Sequence, residues 1–260
     1  MEYMNGYPVA GDDMRTDPAL GKGYEARDYS AHPLAKGFCA SPFSLPMIPD
    51  SEWQKLIEQK TAEKSWASDL CDQAGLVVKN QQSTNYCWIN AVTHGMEVIN
   101  VLCGNKLLVY SAAYAGSIIT GGSNEGGYGT KGAEFCAKNG CATEEFWARN
   151  KISRQRSPEA DANAQLHKIE AYDDLTPSNH REIVSSVLQN RPVSVGIGAW
   201  GHEVLITFLV WAPQKSRKVI YGFDNSWSPD WGQRGRGLLS DSYSVFDEAI
   251  AIRRVSPATV

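Results

Sequence analysis

Apolar positions follow two rhythms along these 260 residues, and the change of rhythm divides the chain. After Cys87, the residues Trp88, Val92, Met96, Ile99 and Leu102 recur at three- and four-residue intervals. That spacing predicts a helix that starts at Cys87 and stops near Gly104, with Ser83, Thr84 and Asn85 as capping oxygens upstream. Ile183, Val184, Val187 and Leu188 predict a second helix over 179–189, halted before Pro192. Weaker patterns predict a helix over about 51–60 and another ending at Asn139-Gly140, after the glycine-rich run GGSNEGGYG (121–129). Beyond Pro192 the period shortens to two. Val193, Val195 and Ile197 alternate with small residues, and EVLITFLVW (203–211) and KVIYGFD (218–224) flank a polar turn containing Pro213, as in a hairpin. RGLLS (236–240) and AIAIRRV (249–255) predict further strands. Residues 1–60 show little periodicity, and SPFSLPMIP (41–49) reads as extended.

Helices followed by antiparallel strands point to an α+β fold of two lobes, about 80–165 mainly helical and about 166–255 mainly β. A cleft between lobes is where a substrate site is expected. Residues 1–60 are expected to form an N-terminal extension to a domain over 61–260, serving as an arm, a wrap or a short pro-segment.

The net charge of −4, without a basic stripe, argues against nucleic acid as a partner. The longest apolar runs fall far short of a membrane span, so no membrane association is expected. The first thirty residues lack a basic start followed by an apolar stretch, which favours a cytoplasmic or particle-enclosed location. Six cysteines are too few for a disulfide scaffold and none forms a C-x-x-C pair, so most are expected to be small buried side chains. No metal or organic cofactor is implied.

Cys87 stands apart by its neighbourhood. A thiol at a helix N-terminus meets unpaired N–H groups and a dipole that favour the thiolate, so its pKa is expected to fall. Gln81 lies six residues upstream in NQQSTNYCW, His202 opens a strand in VSVGIGAWGHEVLI, and Asn225 lies in FDNSWSPDWGQRGRG. With SNEGGYG (123–129), these segments resemble, in order and over about residues 66–245, the papain-like cysteine peptidases. The resemblance implies that family's two-lobed fold and a cysteine endopeptidase acting on peptides or proteins. It assigns Cys87 as nucleophile, His202 as its imidazole partner, Asn225 as the orienting group and Gln81 as the oxyanion-hole amide. Gly126, Gly127, Tyr128, Glu203 and Trp227 are implied at the substrate side, Trp227 also shielding the His202–Asn225 bond. His202 lies 115 residues beyond Cys87 and Asn225 138 beyond it, against roughly 130–150 for these partners in the family. Trimmed loops between the lobes account for the shorter interval.

The chain also departs from the pattern. The family's cysteine pair near the nucleophile is replaced by Thr84 and Asn124, and Asn85 and Tyr86 stand where small residues are usual. Asn85 and Tyr86 are expected either to narrow the subsite beside the scissile bond or to alter the backbone there. Glu203 follows the histidine where a small residue is usual; inside the specificity pocket it favours a basic substrate side chain, and otherwise it faces solvent or an arginine. The long helical propeptide of the family is absent from residues 1–60, so an alternative is an assembly component, for instance of a virus particle, that keeps the fold with little activity. In that reading the N-terminal arm contacts an assembly partner.

Overall fold

The computed structural model describes residues 2–10, 21–35 and 39–257. Seven helices among them are α1 (Asp50–Glu63), α2 (Ala67–Ala74), α3 (Cys87–Leu102), α4 (Ala112–Ile119), α5 (Gly129–Asn139), α6 (Pro158–Ala164) and α7 (His180–Leu188). The helix predicted from Cys87 begins there, and it is buried nearly all round rather than along one stripe. A helix buried on every side must lie between layers. One side of α3 meets α4 and α5, where Ile89, Val92, Met96 and Ile99 join a core with Tyr110, Tyr114 and Trp147. Its other side meets the sheet, where the Cβ position of Gly95 lies 3.0 Å from Ile252.

The strands among the described residues are β1 (Tyr3–Met4), β2 (Tyr7–Ala10), β3 (Ala40–Ser41), β4 (Ile169–Asp174), β5 (Val193–Ile197), β6 (His202–Trp211), β7 (Val219–Asp224), β8 (Arg236–Leu239) and β9 (Glu248–Val255). They form one mostly antiparallel sheet in the order β1-β2-β8-β7-β6-β5-β9-β4-β3. The expected hairpin is β6–β7, closed by the Ala212 N–H on Lys218 O at 2.7 Å. The described residues of the 1–60 extension are more ordered than their pattern predicts. β2 pairs in parallel with β8, and β3 in parallel with β4, covering both sheet edges with strands too short to show a period. The SPFSLPMIP segment packs against α7, through Ile48 N to Ser185 Oγ (3.0 Å) and Gln189 Nε2 to Pro46 O (3.0 Å), and not across the cleft.

A buried polar network joins the lobes. On α3, His94 bonds Glu97 (2.9 Å) and reaches Asp224 of β7 (3.0 Å), while Glu97 accepts from Lys79 (2.6 Å) and from the Tyr110 N–H (2.7 Å). Arg236 of β8 donates to Asp224 at 2.7 Å and to Asp72 of α2 at 2.9 Å. Burial works to raise the Asp224 pKa, but Arg236 and His94 more than offset it and hold the carboxyl well below its usual range. Each charge has a partner, the condition for carrying charges inside a core.

Candidate active site

Asn225 follows β7 directly, His202 opens β6 and Cys87 opens α3, and these three elements pack on one another beside the network above. His202 Nε2 donates to Asn225 Oδ1 at 2.8 Å, an orientation that leaves Nδ1 as the free ring nitrogen. The Trp227 ring stacks on the imidazole at 4.4 Å between centroids, and Trp200 meets its other flank at 4.8 Å. Water is therefore kept from the His202–Asn225 bond, as expected for Trp227. The Cys87 sulfur faces the backbone N–H groups of Glu203, next after His202, and of Tyr24. Gln81 is anchored by accepting from Ser226 Oγ, and its Nε2 donates to Thr84 O at 2.6 Å.

Tyr24 belongs to a strap, residues 21–27, that occupies the cleft. Gly21 N donates to Gln82 O (3.2 Å), Trp227 Nε1 to Gly21 O (2.7 Å), and Gly23 and Tyr24 N–H both to Gly201 O (3.2 Å each). The Lys22 carbonyl points at Gln81 Nε2, 3.4 Å away. On the other wall Gly127 N donates to Gly23 O (2.9 Å) and Glu25 N to Gly127 O (2.8 Å), a parallel bridge between Tyr24 and Gly127. A Cβ on Gly126 would lie 2.4 Å from Gly23 O, so the bare glycine edge is what lets this backbone approach. Gly23 itself has φ +122, and a Cβ there would meet Asn85 O at 2.1 Å.

Burial reverses one electrostatic expectation, although the Tyr24 N–H of the strap works the other way. Burial pushes the Cys87 thiol well up, and the Glu203 carboxyl adds to it; the helix N-terminus does not compensate. Burial likewise drives His202 down to about 3, against the opposing bond to Asn225. Burial thus favours the neutral thiol and the neutral imidazole.

The remaining predicted residues separate into two groups. Glu203 is fully buried and, among the described residues, pairs with no arginine: its Oε1 accepts from Ser194 Oγ at 2.6 Å. Tyr128 caps α5 with its ring 5.8 Å from that of His32. Tyr86 does not narrow the cleft. Its ring packs on Gly116 and its hydroxyl donates to Ser123 O at 2.6 Å, inside the helical lobe. Where the resemblance implies a lost disulfide, Asn85 N donates to Asn124 Oδ1 (2.7 Å) and Asn85 Nδ2 to Asn124 O (2.9 Å), joining the same two segments by hydrogen bonds. All six cysteines are free. Glu248, beside Glu203, escaped sequence reasoning, as did which residues of the 1–60 extension enter the cleft. The run Gly21-Lys22-Gly23-Tyr24 was the available signal, since paired glycines mark close backbone approach.

No helix among the described residues is long and apolar enough to cross a membrane. The chain matches the model of the papain family cysteine proteases over residues 66–207, which include Gln81, Cys87 and His202. It is 23% identical over 190 residues to cysteine endopeptidase RepA of Oryza sativa subsp. japonica, covering 64% of this chain and 50% of that one. To the oryzain beta chain of the same plant it is 27% identical over 189 residues, covering 65% and 40%. The chain thus spans about half the length of the curated relatives it matches. Among solved structures it is similar to digestive procathepsin L 3 of Tenebrio molitor larval midgut, with a TM-score of 0.64 and 14% identity over 95% of this chain and 83% of the other. Matched over more than half its length, the chain belongs to the papain family of cysteine proteases.

Proposed function

We propose that this chain is a thiol endopeptidase acting on peptides or proteins, held covered by its own residues 21–27. The observation that carries the reading is the strap itself: a peptide backbone lies between Gln81, Gly127 and Gly201 with one carbonyl on the Gln81 amide and one N–H over the Cys87 sulfur. A substrate carbonyl in place of that of Lys22 would meet three groups at once. Cys87 sulfur bonds to the carbonyl carbon as its proton passes to His202 Nδ1, and the Gln81 amide with the Cys87 N–H receives the oxyanion. Collapse breaks the C–N bond, His202 returns the proton to the leaving amine, and water then hydrolyses the thioester. Asn225 holds the imidazole through Nε2 and leaves Nδ1 free to take that proton.

In the same reading the strap is a short pro-segment. Its departure rehydrates His202 and Cys87, the change that allows the ion pair to form. The test is the rate at which iodoacetamide alkylates Cys87, in the full chain and in Gly23→Ala, between pH 4 and 9. Slow labelling of the parent, fast labelling of Gly23→Ala below pH 8, and loss of that rate with His202→Ala are expected. An ordinary thiol rate in Gly23→Ala, with no peptide cleaved, would overturn the peptidase reading and leave the assembly-component alternative.

A further inference from the structure

The β6–β7 hairpin has two ends, and only one of them carries His202 and Asn225. The turn lies at the far end of β6, a strand of 10 residues, and therefore roughly 30 Å from His202 at the rise of an antiparallel strand. Beside that turn is a cavity of 640 Å³. Trp53 of α1 and Trp211 of β6 line it, together with His180, which opens α7, and with Arg217 and Lys218 of the turn. Its size suits a small molecule. Trp53 is almost wholly buried and stands edge-on to the His180 ring, with 5.3 Å between centroids, so this wall is fixed by packing.

Charge around the cavity is unevenly matched. Of its two carboxylates, Asp50 is taken by Arg181 at 3.0 Å, and Asp241 accepts from Ser216 Oγ at 2.7 Å. Arg217 is half-buried and forms no ion pair among the described residues. Its Nη1 lies 3.4 Å from His180 Nδ1, which also bonds the Tyr221 hydroxyl. Burial, and then Arg217 itself, hold His180 down to about 4, so that ring is uncharged at neutral pH. The guanidinium is thus positioned by uncharged groups, with its own charge unanswered. Lys218, exposed on the rim, is a second cation without an ion pair among the described residues. Trp211 Nε1 is buried with no acceptor among them. α1 and α7 both begin at the cavity, and helix N-termini favour negative charge. What these groups lack in common is an anion.

We propose that this cavity binds a small aromatic anion, a flat ring bearing a carboxylate or a phosphate, with Arg217 and Lys218 holding the anionic group and Trp53 and Trp211 packing on the ring. The site lies outside the cleft, so it stands or falls independently of the peptidase reading. The full chain would be titrated with phenyl phosphate, benzoate, benzyl alcohol and benzylamine while nuclear magnetic resonance follows the indole N–H signals. At least one of the two anions is expected to bind about tenfold more tightly than the alcohol and the amine, as for a charge-assisted bond to a planar guanidinium. The order of the two anions then tells which class the site takes. Signals of Trp53 and Trp211 should move, while those of Trp88 and Trp227, beside the thiol and the imidazole, stay in place. Arg217→Met should remove the tenfold advantage and Arg217→Lys should keep part of it. The ranking of probes is read on the parent chain, so a poorly folded Arg217→Met leaves the test standing. Benzyl alcohol binding as tightly as both anions would reduce the cavity to an apolar hollow, and tighter binding of benzylamine would make Asp50 and Asp241 the determinants. Either result overturns the proposal. So do shifts confined to Trp227, an unchanged affinity in folded Arg217→Met, or the failure of both anions to saturate the chain at about 10 mM.

Discussion

Gly196 shows how one missing side chain sets what a neighbouring group can do. With a methyl group at that position, the Tyr24 ring would have to withdraw, because the 2.1 Å separation leaves no space for both. Gly196→Ala is therefore expected to raise the Cys87 alkylation rate of the intact chain while the far-ultraviolet circular dichroism stays that of the parent. Glu248, across from it, has a consequence for stability. Its pKa in the fold is about 7, above the 4.5 of a free glutamate, so between these values the folded chain keeps a proton that the unfolded chain has released. Its contribution is thus most favourable below about pH 4.5 and is lost as pH rises to about 7. Urea denaturation across this range should show parent stability falling relative to Glu248→Gln up to pH 7 and level beyond it. A difference independent of pH would contradict the raised pKa.

Elements differ in how plainly the sequence announces them. α3 and the β6–β7 hairpin carry enough consecutive apolar positions for their period to be read, and both lie where the pattern places them. α2, α4, α6 and β4 escaped notice; α2, α4 and α6 are eight residues or fewer, and β4 is six, too short for a period to stand out. The strap has no period at all, since much of it is held by backbone groups that every sequence possesses, with Trp227, Gln81 and the Arg27–Asp174 pair adding side-chain bonds. Its sequence requirement is concentrated in glycine. At φ +122 and 2.1 Å from Asn85 O, Gly23→Ala meets strain of about 1–3 kcal/mol, which corresponds to about a 5- to 150-fold gain in strap opening. Hydrogen exchange of the Gly127 and Glu25 amides, which pair across the strap, would register that gain as lost protection. Unchanged protection would mean that the strap is held from elsewhere.

At the scale of the whole molecule the two lobes meet through charges rather than through apolar surface alone. Asp224 accepts hydrogen bonds from Arg236, Thr207 and His94, and the next residue is Asn225. Arg236→Met leaves that carboxylate buried with half its compensation, a loss of about 3–5 kcal/mol measurable by chemical denaturation. It should also loosen Asn225 and with it His202, so Cys87 alkylation in a Gly23→Ala background should slow. The sequence by itself determined the order of the longer helices and strands, the α+β class and the segments bearing Cys87, His202, Asn225 and Gln81, because period and local motif are properties of contiguous residues. It also marked Glu203 as out of pattern. Only the tertiary structure decided that Glu248 lies one strand away from Gly196 opposite Glu203, that Tyr86 turns into the helical lobe, and that residues 21–27 cover the thiol. These follow from sheet register and from packing between residues far apart in the chain, and pairing of that kind leaves no trace in the spacing of either partner.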